Sequence, residues 1–541
     1  MTNKLPKRVR SPFLTFAFAA VGAAALSISS PVPATAQSTV SAFAQSVAEA
    51  AAREGEVAAF YRANGYQPIW TGNSAEDLSR RKALLTALSK AGDHGLPTVD
   101  LGDLKMRMAN VTSVRDLGAL EVELSTLLVD YAQGVSSGIL TPSKIDSGIV
   151  RKINRKDGTD VLSGFASSSP AGYLKSLPPK NAEYGRLMRE KLRLENAIQH
   201  GGWGKTVAAK KLKPGQSGDA VIALRNRLVR MGYLSRSASR SYDASIQKAV
   251  QQFQADHGLT DDGVAGAGTI AEINVTPEKR LASILVAMER ERWTNFERGE
   301  RHVWVNLTDF TAKIVDRGSV TFRTRSVIGK NVSDRRSPEF SDVMEHMVIN
   351  PTWNVPRSIA TKEYLPMLKN NPNAVSHLKL IDSRGRVVNR GAVDFTKFTA
   401  RSFPFAIKQP PSSRNALGLV KFMFPNKYNI YLHDTPSKNL FAREVRAFSH
   451  GCIRLSDPFD FAYALLAKQS SNPKATFHNA LETRRETRID LEKHVPVHIV
   501  YRTAVAPAKG RVNYRRDIYG RDAKVWAALQ NAGVALHAVD G

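Results

Sequence analysis

The chain has 541 residues, 42% of them apolar, a formal net charge of +28 and a single cysteine. That length is more than one hydrophobic core organises, which excludes a one-domain protein, and one cysteine excludes an internal disulfide, so stability rests on core burial. The charge excess, with no acidic block against it, points to an anionic partner: nucleic acid, a membrane surface or an acidic polymer.

At the N-terminus, Lys4, Lys7, Arg8 and Arg10 precede an apolar run from Phe13 to about Leu26, and Ala34-Thr35-Ala36 follows. Basic, apolar and then small residues in that order predict a secretory signal peptide over 1–36, cleaved before Gln37. The apolar run is shorter than the roughly 20 residues that cross a bilayer as a helix. An uncleaved anchor is the alternative. Either way the expected location is the periplasm, and export counts against nucleic acid as the polyanion.

The predicted fold class is multidomain α+β. A helical scaffold over 41–200 comes first, with Leu117, Leu120, Leu124, Leu127, Leu128 and Tyr131 recurring at threes and fours. The aromatic residues Phe60, Tyr61, Tyr66 and Trp70 are assigned to that domain's own core. A basic linker then leads into a small three-helix unit over 215–275. There Val221, Leu224, Leu228 and Met231 form one apolar face, and Ile246, Ala249, Val250 and Phe253 another.

After a helix from Arg280 to Trp293 the period changes to two, with Val303, Val305 and Leu307 alternating with polar or interfacial positions. Further strands are expected at 312–315, 343–349, 429–432 and 495–501. They give a mostly β domain over 300–504, interrupted by a Pro-rich insertion over 357–411 long enough to act as a lid. Residues 505–541 read as a helical closing segment with no assigned role.

The chemistry concentrates in Tyr431-Leu432-His433-Asp434-Thr435-Pro436 and in Ser449-His450-Gly451-Cys452-Ile453-Arg454-Leu455. A free thiol is mostly protonated at neutral pH and needs a base to act as a nucleophile. His433, ending a strand, is the expected base for Cys452, taking the thiol proton and returning it to a departing amine. Backbone N–H groups around Gly451 and Cys452 are the expected oxyanion donors, because glycine permits close backbone approach. His450 is open between oxyanion support and holding the loop. Ser449 and Arg454 are read as substrate carboxylate contacts or as support for the site, with a plain ion pair the rival for Arg454. Two bland readings stand beside these: a lone buried cysteine acting as a small hydrophobe, and zinc held by His433, His450 and Cys452.

Two resemblances sharpen this picture. The run Gly215, Gly218, Val221, Leu224, Leu228, Gly232-Tyr233-Leu234, Phe253-Gln254, Gly258-Leu259, Asp262-Gly263 and Gly266 resembles the peptidoglycan-binding domain of wall hydrolases. The stretch from Lys421-Phe422-Met423 through the two motifs above resembles the L,D-transpeptidase catalytic domain, or YkuD domain. Its pattern of a His, 14 to 17 residues, then Ser-His-Gly-Cys is met here with 15 residues between His433 and Ser449. Arg454 stands where many members have Asn, and Pro410-Pro411-Ser412-Ser413 replaces a Pro-Gly pair.

The resemblance implies a cysteine acyltransferase without metal or cofactor, acting on tetrapeptide stems of peptidoglycan as donor and acceptor. It implies release of D-alanine, 3-3 cross-links between diaminopimelate residues, and sensitivity to carbapenems. It also implies that the carbonyl of Asp434 orients His433. Transient contact with other wall-synthesis proteins is compatible with that role. Water or an outer-membrane protein as acyl acceptor, and a non-catalytic wall-binding scaffold, remain as alternatives.

Overall fold

The computed structural model describes residues 41–536; the expected signal peptide over 1–36 lies outside the described residues. The helical region begins at the helix Ala42–Ala50, whose N-cap Ser41 accepts from the Ala44 N–H. Its longest helix, Val114–Ser137, buries Leu120, Leu124, Leu128 and Tyr131 on one side. Phe60, Tyr61 and Trp70 pack in this core, and the Tyr61 hydroxyl and Trp70 indole N–H both reach Ser125. Three helices follow, Asp219–Arg230, Ala244–Asp256 and Ala267–Ile273, burying the two apolar faces read from the sequence against each other.

The helix Pro277–Trp293 joins the parts. Thr276 caps it and Pro277 opens it, where a missing N–H costs nothing. Its last turns are buried although they carry Glu289, Arg290, Glu291 and Arg292, and a buried charge persists only when paired. Arg292 pairs with Glu289 at 2.6 Å, and Arg290 with both Glu339 and Asp522 at 2.8 Å. Glu289 also accepts from the Leu140 N–H at 2.9 Å. The helical region, the β domain and the C-terminal segment are thereby tied to one helix.

The β domain contains β1 (Arg301–Asn306), β2 (Thr311–Asp316), β3 (Ser319–Gly329), β4 (Phe340–Ile349), β5 (Trp353–Asn354), β6 (Lys379–Ile381), β7 (Ala406–Gln409), β8 (Val420–Met423), β9 (Leu432–His433), β10 (Ala447–Ser449), β11 (Ile453–Leu455) and β12 (Thr487–Val500). The main sheet runs β10-β3-β11-β9-β8-β4-β12-β1-β2, and β2 pairs again with β3, so it closes on itself. The length of β3 permits this. Its first half pairs with β2, and its last residues pair with β11 and β10. Val303, Val305, Met347, Phe422, Leu432 and Ile453 fill the interior.

Between β4 and β8 the chain builds a small subdomain with its own core of Leu365, Leu368, Leu378, Phe395, Phe403 and Ile407, and with its own sheet, β5-β7-β6. Two expectations are corrected. The strand expected over 429–432 shrinks to Leu432–His433, because Asn429 turns at a φ of 53° and Asn426 captures the Ile430 N–H and C=O. The C-terminal segment is not purely helical: Ala504–Val505 pairs with Asn513–Tyr514 before the helix Arg521–Asn531. That pairing seats buried Tyr514 under the Arg280 guanidinium, 4.5 Å away, a contact no local periodicity announces. No helix among the described residues is long and apolar enough to cross a membrane.

Candidate active site

β9 and β11 run parallel, with Leu432 opposite Ile453 and His433 opposite Arg454. Because side chains alternate along a strand, Tyr431 and His433 share a face with Cys452 and Arg454. All four line one cleft of about 710 Å³ between the end of the closed sheet and the inserted subdomain.

Burial is the dominant influence on the two central groups, since a low-dielectric surrounding disfavours the charged form of each. It pushes the Cys452 thiol up to about 11, against the lowering effect of Tyr431 and Arg454. It pushes His433 down to about 3, helped by the Arg454 charge. At neutral pH the pair is therefore a thiol beside a neutral imidazole. The His433 Nδ1 donates to the Asp434 carbonyl, which leaves Nε2 as the acceptor. The thiol donates to the Asn429 carbonyl at 3.4 Å.

The loop around the thiol is held from both sides. The Ser449 hydroxyl donates to the Cys452 carbonyl at 2.5 Å and accepts from the Gly451 N–H at 3.1 Å. Ser337 donates to the Gly451 carbonyl at 2.6 Å and accepts from the Gly329 N–H at 3.0 Å. Ser337 is in turn fixed by the C-terminal segment: Tyr519 accepts from its N–H at 3.3 Å, and Arg521 donates to its carbonyl at 3.0 Å. Gly451 sits at a φ of 117° with Ile430 against it, so a side chain there is strained.

The residues expected to act are thus distributed over several tasks. The Gly451 N–H is taken by Ser449, while the Cys452 N–H has no protein partner among the described residues, so it is the donor left for an oxyanion. Ser449 is buried with its hydroxyl engaged within the loop, an arrangement of loop support rather than substrate contact. The Asp434 carboxylate accepts from the Leu419 N–H at 2.9 Å and from Lys438 at 2.6 Å, so it fixes the preceding turn. Arg454 lines the cleft with no carboxylate partner among the described residues, and its Nε is buried without an acceptor.

His450 donates through Nε2 to Glu363 of the inserted subdomain at 2.7 Å, and Arg335 reaches the same oxygen at 2.8 Å. With His433 turned to Asp434 and His450 to Glu363, the three zinc-type side chains do not converge. Among the described residues no group of three or more His, Cys, Asp or Glu could hold one metal ion.

A family model described as "L,D-transpeptidase catalytic domain" matches residues 300–483. The chain carries an L,D-transpeptidase catalytic domain. Ahead of it, "Putative peptidoglycan binding domain" matches 217–273 and "Scaffold domain" matches 55–190. The chain is 29% identical over 259 residues to a protein of Haemophilus influenzae named "Putative L,D-transpeptidase". That stretch is 48% of this chain and 50% of the other, so the chain spans about half the length of the curated relative it matches. Two solved structures overlap in part. An L,D-transpeptidase of Xylanimonas cellulosilytica is 14% identical, covering 55% of this chain and all 100% of its own. A fused Zn-dependent amidase/peptidase/peptidoglycan-binding protein of Clostridium acetobutylicum is 13% identical, covering 54% and 99%. At a TM-score of 0.15 each, neither carries weight here.

Within the L,D-transpeptidase domain, motif reading left three side chains without a role. Tyr431 was legible in principle, since it stands two residues before His433 at the entry to β9 and shares its face. Glu363 and Ser337 were not, because they lie 87 and 114 positions from their partners His450 and Gly451.

Proposed function

We propose that this protein is an exported, periplasmic peptidoglycan L,D-transpeptidase that works through a Cys452 thioester. One observation carries the reading: Cys452 and a neutral His433, its Nδ1 already committed to the Asp434 carbonyl, line the same cleft. In the reaction, Cys452 Sγ attacks the carbonyl of the third-position diaminopimelate residue while His433 Nε2 takes the thiol proton. The Cys452 N–H donates to the developing oxyanion. The bond to D-alanine breaks as His433 returns the proton to the departing amine, leaving a thioester. The amine of a second stem attacks that thioester, gives its proton to His433 and restores the thiol, forming a 3-3 cross-link. Arg454, charged and unpaired, suits a stem carboxylate.

The test is incubation of purified protein with disaccharide-tetrapeptides, followed by mass spectrometry. Release of D-alanine and formation of 3-3 dimers are expected, and Cys452→Ala makes neither. Products unchanged by that substitution refute the mechanism, and tripeptide without dimer assigns water as the acceptor.

A further inference from the structure

A second cleft, of about 490 Å³, shares no lining residue with the catalytic one. It lies where three parts meet: the helix Ala182–Gln199, the turn after the helix Asp219–Arg230, and the loop between Val505 and Asn513. Arg186, Arg189, Arg193, Arg230, Arg280 and Arg511 line it against a single carboxylate, Glu190. Two of these cations are already matched, Arg193 to Glu190 at 2.7 Å and Arg280 to Glu272 at 2.6 Å. The other four form no salt bridge among the described residues. Arg186, Arg230 and Arg511 contact only backbone carbonyls, and Arg511 is steadied over the Tyr233 ring at 4.6 Å.

A second observation is independent of the charge. Trp203 lines the same cleft, is 5% exposed, and its indole N–H has no acceptor. An indole nitrogen can only donate, and a buried donor left open is uncommon. The site is rich in donors and short of acceptors, so it selects a ligand bearing several anionic oxygens. Guanidinium forks match carboxylates two bonds at a time. Met231, Phe253 and Val512 add apolar surface that suits the methyl groups of an alanine-containing peptide.

We propose that this cleft is a second binding site, which grips the carboxylates of a peptidoglycan stem peptide while a different stem occupies the catalytic cleft. The proposal rests on the reading of peptidoglycan as the substrate, and it places the gripping residues on the scaffold, the wall-binding unit and the C-terminal loop together.

The experiment uses the whole protein, with co-sedimentation on insoluble peptidoglycan and D-alanine release from soluble tetrapeptide measured in parallel. Arg189→Glu/Arg511→Glu is compared with Arg62→Glu/Lys105→Glu, which makes the same charge change outside the cleft. Retention is expected to fall at least about tenfold for the first pair only, as for the loss of two charge-assisted contacts, with D-alanine release unchanged. Arg189→Lys/Arg511→Lys, which keeps the charge and loses the fork, is expected to bind at an intermediate level with the same melting temperature. Equal losses in both reversed pairs, or none in either, overturn the proposal. So does equal retention on peptidoglycan with amidated carboxylates, or competition by millimolar inorganic phosphate at constant ionic strength, which assigns a phosphate site. Arginine-dependent retention without any D-alanine release leaves this site standing and removes the proposed function.

Discussion

Protonation of Cys452, the proposed nucleophile, sets this site apart from a thiolate–imidazolium pair. With Cys452 pushed up to about 11 and His433 down to about 3, both groups are neutral across the whole neutral range. At pH 8 about one Cys452 in a thousand is then a thiolate, against about a quarter of ordinary thiols. Alkylation by iodoacetamide, followed by mass spectrometry of the intact protein, is expected to be about two orders of magnitude slower than that of free cysteine at pH 8. It should rise about tenfold per pH unit up to about pH 10. Acylation by a carbapenem is expected to respond differently, staying nearly flat from about pH 5 to 9. There His433 accepts the proton only as the bond forms, and it is neutral throughout that range. A plateau of alkylation below pH 7 would mean a stable ion pair and would refute the reasoning.

Tyr519→Phe removes a buried hydroxyl that donates to the Gly329 carbonyl at 2.6 Å and accepts from the Ser337 N–H. The two groups left open are expected to cost about 2 kcal/mol, read by calorimetry as a fall of about 4–8 °C in Tm, together with slower acylation of Cys452. Gly451→Ala places a Cβ 3.2 Å from Ile430 at a φ of 117°, so about 1–3 kcal/mol of strain is expected. Acyl-enzyme should fail to form while circular dichroism is preserved. Glu363→Gln weakens a contact between the inserted subdomain and the Cys452 loop. Because Glu363 is about a third exposed, the change is expected to be under about 1 kcal/mol, seen as faster hydrogen exchange over 357–370 with an unchanged Tm.

What the sequence disclosed follows from how far apart in the chain each interaction reaches. Alternation at Val303 and Val305 was visible because one strand face meets the core, and the helices Val114–Ser137 and Pro277–Trp293 were visible because their apolar stripes are continuous. β9 has two residues, too few for any period to register, so Leu432 and His433 were placed by their motif. β12 begins at Thr487, eight residues before the stretch read as strand, because exposed Arg488, Glu492 and Lys493 mask the pattern and the register shifts between Asp490 and Val495. That Cys452 and His433 share one cleft was legible from type and spacing. Their protonation was not, since it depends on burial in the folded site and on the charge of Arg454. The second cleft was invisible for the same reason: its arginines come from four segments that no local rule brings together.

The route from Arg521 through Ser337 to the Gly451 carbonyl also sets an order of events in time. Arg521 follows Cys452 by 69 positions in the chain. A chain emerging from its N-terminus delivers Ser337 and Cys452 well before Tyr519 and Arg521, which fix Ser337. The candidate site is therefore among the last parts to be completed, and a nascent or prematurely truncated chain carries its thiol on a loop that is not fully braced.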